Sequence, residues 1–318
     1  MLKYCARRLT LALLLVWAVG SAAFALTRLA PGDDVDGLLL MSEADRVEAR
    51  RRAGLDRPFG VQYAEWLGGA LRLDFGESRL YVGQSVASLV GERAANTAVL
   101  AAAALLLATL AGVGLGWYTG TRDDGLGPAL VRAGSVVCLS VPPLVGALLL
   151  VLLATRTGWL PPGGMTSATS LGGWAWLRDV AWHLPVPAIA LALPLAATLE
   201  RVQAQALSEA RREPHVAAAL ARGVSPAAAL GRHAWPVSLG VVLGTYGLII
   251  GSLFSGSLIV EVVTAWPGLG RLMFDALRGR DLYLAAGTAA AGGACLALAT
   301  WLVDVAHALL DPRLRERG

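Results

Sequence analysis

The chain has 318 residues, of which 56% are hydrophobic and only 16% charged, and its mean hydropathy is +0.58. A soluble domain carries nearer a quarter charged residues, so this is a membrane composition. The net charge of +4 rests almost wholly on arginine, because Lys3 is the only lysine. A Walker A phosphate loop needs Gly-Lys-Ser/Thr after a strand, so this chain has none, and any ATP it uses is bound by another chain.

Met1 to Arg8 carries Lys3, Arg7 and Arg8 ahead of an apolar run from Leu9 to Leu26. A secretory signal begins the same way, and Ser21-Ala22-Ala23 mimics a cleavage site. The run is about 18 residues, however, which is long enough to cross the hydrocarbon core. With the rest of the chain equally apolar, it reads as a retained first span with a cytoplasmic N-terminus. Residues 30–95 are polar and rich in Arg and acids, and read as a small external helical domain. Ser42 caps one helix that runs through Arg51, and a second covers Val61 to Leu71.

Asn96 and Thr97 open a second span that runs to about Tyr118. The loop from Thr119 to Arg132 reads as cytoplasmic. A third span, Ala133 to Ala154, contains Val141-Pro142-Pro143, and a proline inside a helix removes a hydrogen bond and kinks it. Trp159, Trp174, Trp176 and Trp182 in the next segment fit an interfacial belt. The fourth span, Leu184 to Leu199, is short and holds Pro185, Pro187 and Pro194.

From Arg201 to Pro236 the chain is polar again. Val216 to Arg222 is Ala-rich and favours helix. Gly223 is a natural stop, Ser225 an N-cap, and Pro226 suits the first position of a second helix. By charge and capping alone, a plain solvated loop explains this segment equally well. The fifth span, Leu239 to Val263, carries Gly244, Gly247, Gly251 and Ser255 at helical spacing, a stripe suited to close packing. Ser252 and Ser255, with Pro142, are candidates for a pathway through the membrane. Glu261, near the end of that span, is costly in lipid and should face protein or water. The sixth span covers Leu284 to Ala308, and Arg313, Arg315 and Arg317 place the C-terminus inside.

Cys5, Cys138 and Cys295 lie in or beside apolar runs and read as buried unpaired thiols. His183, His215, His233 and His307 are scattered, so neither a metal site nor a catalytic residue is expected.

Several stretches, in unbroken order, resemble the B-type permease subunit of the dipeptide, oligopeptide and nickel importers of the ABC class. They are RLAPGDDV (28–35), GLDRPFGVQYAEWL (54–67), LDFGES (73–78), Asn96-Thr97, Ser140-Val141-Pro142, Gly158-Trp159-Leu160-Pro161, Arg280-Asp281-Tyr283 and LLDPR (309–313). The most specific is IVEVV (259–263) followed by Trp266-Pro267-Gly268-Leu269-Gly270-Arg271, an external loop motif. Ala217 to Gly223, with Arg232 to Pro236 downstream, is similar to the cytoplasmic EAA coupling loop. Ala217 stands where that loop often has Glu, and Pro214 and Pro236 also depart from its pattern.

The resemblance implies an all-α integral membrane protein with six transmembrane helices, the type I ABC importer permease fold. It implies a first span (1–29), an external helical region (30–95) and a five-helix core (96–318) whose coupling loop spans about 201–236. The coupling residues it designates are Ala217, Ala218, Ala219, Arg222, Gly223, Ser225 and Pro226; the external motif is Trp266, Pro267, Gly268 and Gly270. Implied partners are a second homologous permease, two ABC ATPases carrying the ATP and Mg, an external substrate-binding protein and membrane lipid, in a bacterial inner membrane. No nucleic acid and no cofactor of its own are implied. Di- or oligopeptides are the expected cargo, with nickel or glutathione as alternatives. A secondary transporter would carry central charges or paired broken helices, which are not evident in the sequence. A non-transporting scaffold is the remaining rival.

Overall fold

The computed structural model describes residues 2–29, 43–52, 56–167 and 172–310. Among these residues the only non-helical pairing is one isolated bridge, Glu77 with Ser85. Helices long and apolar enough to cross a membrane cover Arg7–Leu29, Val86–Gly120, Pro185–Ala210, Pro226–Val263 and Leu282–Val305. A sixth candidate is a bent pair. The chain divides into two compact units, one built on Ala98–Trp266 and the other on Leu2–Thr97 with Pro267–Trp301.

The second of these units holds helix α1 (Leu2–Leu29), α2 (Glu43–Arg52), α3 (Phe59–Ala70), the start of α4 (Val86–Gly120), α12 (Leu269–Arg278) and most of α13 (Leu282–Leu310). Ser42, the expected cap of α2, lies outside the described residues, as do Ala30–Val35, Gly54, Leu55 and Asp311–Arg313 of the motifs. α3 is fixed to α1 by aromatic packing. Phe24 is fully buried, with its ring 5.3 Å from Trp66 and 5.8 Å from Tyr63. Tyr63 Oη shares a hydrogen bond with Ser21 Oγ at 2.8 Å and accepts one from Trp17 Nε1 at 3.1 Å. Gly20 makes this approach feasible, since a Cβ there would sit 3.0 Å from the Trp66 ring.

Asp281 ties the segment before α4 to the start of α13. Its Oδ2 accepts from Ser78 Oγ at 2.8 Å, from Arg79 N–H at 2.8 Å and from Leu80 N–H at 3.2 Å. Its Oδ1 accepts from Leu284 N–H at 3.1 Å, which caps α13. Beside it, burial and the nearby Asp275 carboxylate push the Tyr81 hydroxyl above its usual pKa.

The first unit is built around α8 (Pro185–Ala210), flanked by α4, α5 (Leu126–Ser140), α6 (Pro143–Thr157) and α11 (Trp235–Val263). Leu195, Leu199, Ile249 and Leu253 form part of its apolar core. α4 approaches α8 along Gly112, Gly116 and Gly120. A Cβ on Gly116 would lie 2.6 Å from Gln203 Cβ and 2.8 Å from the Glu200 carbonyl. The sequence reading placed the close-packing stripe on the fifth span instead. There Gly247 and Gly251 have nothing within 4 Å of an added Cβ, so among the described residues those two positions are open.

Three other expectations are corrected. The third span is not a kinked rod: α5 and α6 meet at 106°. The cause is two consecutive prolines. Val141, forced from the helical region by the following proline, sits at φ −89°, ψ 116°, and Pro142 is extended at φ −58°, ψ 145°. The fourth span does not stop at Leu199, because helix continues unbroken to Ala210 and takes in the first ten residues of the polar run. Its internal Pro194 is accommodated, and the Pro194 carbonyl accepts from Thr198 Oγ1 at 2.9 Å. The second span starts at Val86 rather than Asn96. Cys138 and Cys295 are unpaired, as expected, but only half-buried.

α7 (Trp174–His183) precedes α8 and leaves Trp174 82% and Trp182 55% exposed. Asp179 Oδ2 accepts from Ser167 N–H at 2.6 Å, and Oδ1 from Ser167 Oγ at 2.9 Å. The Ser167 amide holds this carboxyl below the usual carboxylate range, with help from Ser167 Oγ and the charge of His183. A depressed folded pKa means the contact is fully present above the unfolded value of about 3.9 and is lost as pH falls through the lower folded one. Pepsin should therefore cut the segment 158–167 only below about pH 4. Asp179→Asn should be cut there already at about pH 5, where the wild type resists.

Candidate functional site

The polar connection between α8 and α11 is a compact helical knob. α9 (Pro214–Ala221) ends at Gly223, whose φ of +83° puts it in the left-handed region. Gly223 N–H donates to the Leu220 carbonyl at 2.9 Å and Val224 N–H to the Ala219 carbonyl at 3.1 Å, which closes the helix end. Ser225 then caps α10 (Pro226–Ala229), accepting from Ala228 N–H at 3.4 Å, with Pro226 at its start. A single π turn, Leu230–Ala234, leads into α11.

This knob has its own small core of Leu207, Ala210, Val216, Ala229 and Ala234, beside Trp117. Trp117 and Trp235 meet edge to face at 4.7 Å. Of the residues designated for coupling, Ala217, Ala218, Arg222, Gly223, Ser225 and Pro226 are exposed on it. Ala219 is fully buried instead. Arg211 anchors the base through an ion pair with Asp123 and a 3.2 Å bond to the Thr121 carbonyl. Arg222 and Arg232 are exposed, and His215 lies 3.1 Å from Glu213.

Within the same unit, a cavity of about 200 Å³ opens beside the Pro194 turn of α8. Pro143, Leu191, Pro194, Leu195, Thr198, Leu248, Ile249, Ser252, Leu253 and Gly256 line it. No side chain in that lining is charged. Ser252 belongs to it, whereas Pro142, Ser255 and Glu261 do not. Ser255 is exposed and Glu261 fully buried.

The Trp266–Gly270 motif is held by two residues of the α4 start. Asn96 Nδ2 donates to the Pro267 carbonyl at 2.8 Å, and Leu269 N–H donates to Thr97 Oγ1 at 2.8 Å. Gly268 is the N-cap of α12, where Leu272 N–H reaches its carbonyl at 3.0 Å, and Gly270 lies in the first turn. Trp266 is fully buried in the other unit. Glu200 and Gln203, buried polar residues of α8, are not marked out by any motif in the sequence. A polar pair three apart on the inward face of a span was the available signal.

The family model for binding-protein-dependent transport system inner membrane components matches residues 112–316. A Brucella ovis protein named as a peptide permease is 32% identical over 99% of both chains. The di/tripeptide transport system permease protein DppB of Pseudomonas aeruginosa is 30% identical over the whole of both chains. The oligopeptide transport system permease protein OppB of Mycobacterium bovis is 31% identical over 99% of both. The match covers more than half the chain and all the span helices from the glycine ladder of α4 onward. With the apolar helices just described, it makes this multi-pass membrane protein a member of the family of binding-protein-dependent transport system inner membrane components.

Proposed function

We propose that the chain is one permease subunit of an ATP-driven peptide importer, and that the α9–α10 knob is where a partner ATPase drives it. The observation that carries this reading is the knob itself: one short helix, α9, set by the Gly223 turn against the first turns (α10) of the continuous helix that becomes α11. Such an object suits helix-in-groove docking. Ala217, Ala218, Arg222, Ser225 and Pro226 form its outer face. ATP and Mg are held by two partner ATPases. A second, homologous permease completes the pathway, and the open glycine stripe of α11 suits its close approach. A binding protein delivers cargo on the side of the external region (30–95), near the Trp266–Gly270 motif, and both termini face the cytoplasm. The uncharged cavity at Ser252 favours peptides of varied sequence over a divalent cation.

The test is Gly223→Val in the assembled transporter. Nothing lies within 4 Å of an added Cβ there, so the substitution acts only through the backbone. A β-branched residue at this positive φ costs about 1–2 kcal/mol and rotates α9 against α10. Membrane insertion and ATP hydrolysis should persist while peptide uptake in proteoliposomes falls several-fold. Unchanged uptake would remove the knob from the mechanism.

A further inference from the structure

Glu200 takes no part in the sites above. It is 1% exposed, in the part of α8 that follows the apolar run. Its Oε1 accepts from Thr119 Oγ1 at 2.5 Å, while its Oε2 has no hydrogen-bond partner among the described residues. A buried carboxylate oxygen without a donor is costly, and the arrangement asks for one. Glu200 also lines a cavity of about 280 Å³ with Arg132, Val136, Arg201, Ala204 and Gln205.

The two arginines differ. Arg132 is fixed by bonds to the carbonyls of Thr119 at 3.0 Å, Arg122 at 2.9 Å and Asp123 at 3.2 Å. Arg201 is exposed and meets no partner among the described residues. The stretch of α8 from Pro185 to Leu199 is uncharged and rises about 22 Å. Glu200 and Arg201 are the first charges after it, so the cavity opens where the apolar slab gives way to head groups. Val136 and Val137 of α5 are 50% and 61% exposed and offer an apolar wall beside it.

We propose that this cavity binds a small zwitterion, a primary ammonium with an anionic group a few bonds away, supplied by the head group of phosphatidylethanolamine. The ammonium donates to Glu200 Oε2. The phosphate lies toward Arg201, with Arg132 as a fixed positive charge behind it, and the acyl chains run along Val136 and Val137. The volume suits a head group. Basic pockets between membrane helices commonly take lipid head groups; the buried acid is what selects an amine here.

The test is lipid retention by native mass spectrometry, with thermal unfolding alongside. The purified full-length chain is exchanged into micelles doped with phosphatidylethanolamine, phosphatidylcholine or phosphatidylglycerol. Choline has no N–H, so the wild type should keep phosphatidylethanolamine at least about tenfold over phosphatidylcholine, the worth of a charge-assisted bond to a buried acceptor. Glu200→Gln should erase that preference. Arg201→Ala should weaken retention of phosphatidylethanolamine several-fold. If Glu200→Gln does not fold, the wild-type comparison and Arg201→Ala decide alone. Equal retention of the ethanolamine and choline lipids overturns the proposal. So does a preference for phosphatidylglycerol, which would mean simple attraction to a basic patch. Stabilisation by free leucine with none from phosphatidylethanolamine would overturn the lipid assignment in favour of an amino acid.

Discussion

Asp281→Ala should leave little of the chain folded after extraction in mild detergent. The carboxylate is 1% exposed and receives four donors, three from residues 78–80 and one from the first turn of α13. Truncation strands those N–H and O–H groups together, and a stranded buried donor costs about 1–3 kcal/mol. Loss of the helix cap adds roughly 1 kcal/mol. Because some of the donors are only partly buried and recover water, the sum is about 3–5 kcal/mol. Asp281→Asn keeps one acceptor oxygen and a good cap, and should lose about half as much. Size-exclusion profiles after a heat step measure this, and hydrogen exchange at residues 78–80 places it. A wild-type profile for Asp281→Ala would show that the staple is ornamental.

The other large effect is expected at Gly116. Its Cβ position is occupied on two sides by α8, by Gln203 Cβ at 2.6 Å and the Glu200 carbonyl at 2.8 Å. One contact is backbone and the other is a Cβ, so neither can swing away. Gly116→Val would force α4 off α8 at about 3 kcal/mol. The neighbouring Gly114 gives the control, since nothing lies within 4 Å of an added Cβ there. Gly114→Ala should be neutral, or stabilising by up to about 1 kcal/mol through helix propensity. Melting curves of the two variants in the same detergent make the comparison. Similar losses at both would mean that helix position, and not contact with α8, sets the cost.

Most of the architecture was legible in the chain. Apolar runs gave the spans, because a membrane helix must satisfy its backbone internally and advertises itself by composition. Ser225, Pro226 and Gly223 marked the knob correctly, since caps and stops are local chemistry. What failed was tertiary. The polar Arg201–Ala210 stretch reads as loop, yet helix continues there because Leu207 and Ala210 pack into the knob core. Glycines on two helices have the same spacing, and only the fold shows that those of α4 meet a neighbour within this chain. Ala219 and its exposed neighbours Ala217 and Ala218 are chemically alike, so nothing local says which one turns inward. Three of the four partners of Asp281 lie about 200 positions away in sequence and no periodicity reports them.

The break between α5 and α6 has an electrical consequence. A straight helix would carry its peptide dipoles through the apolar slab and show their ends only at the surfaces. Here α5 ends at Ser140 and α6 begins at Pro143, so the negative end of one helix lies two residues from the positive end of the next. Each end is worth roughly half a charge. At 106° they do not line up, but at this separation they largely offset one another. The turn therefore presents carbonyls and amides together with almost no net sign.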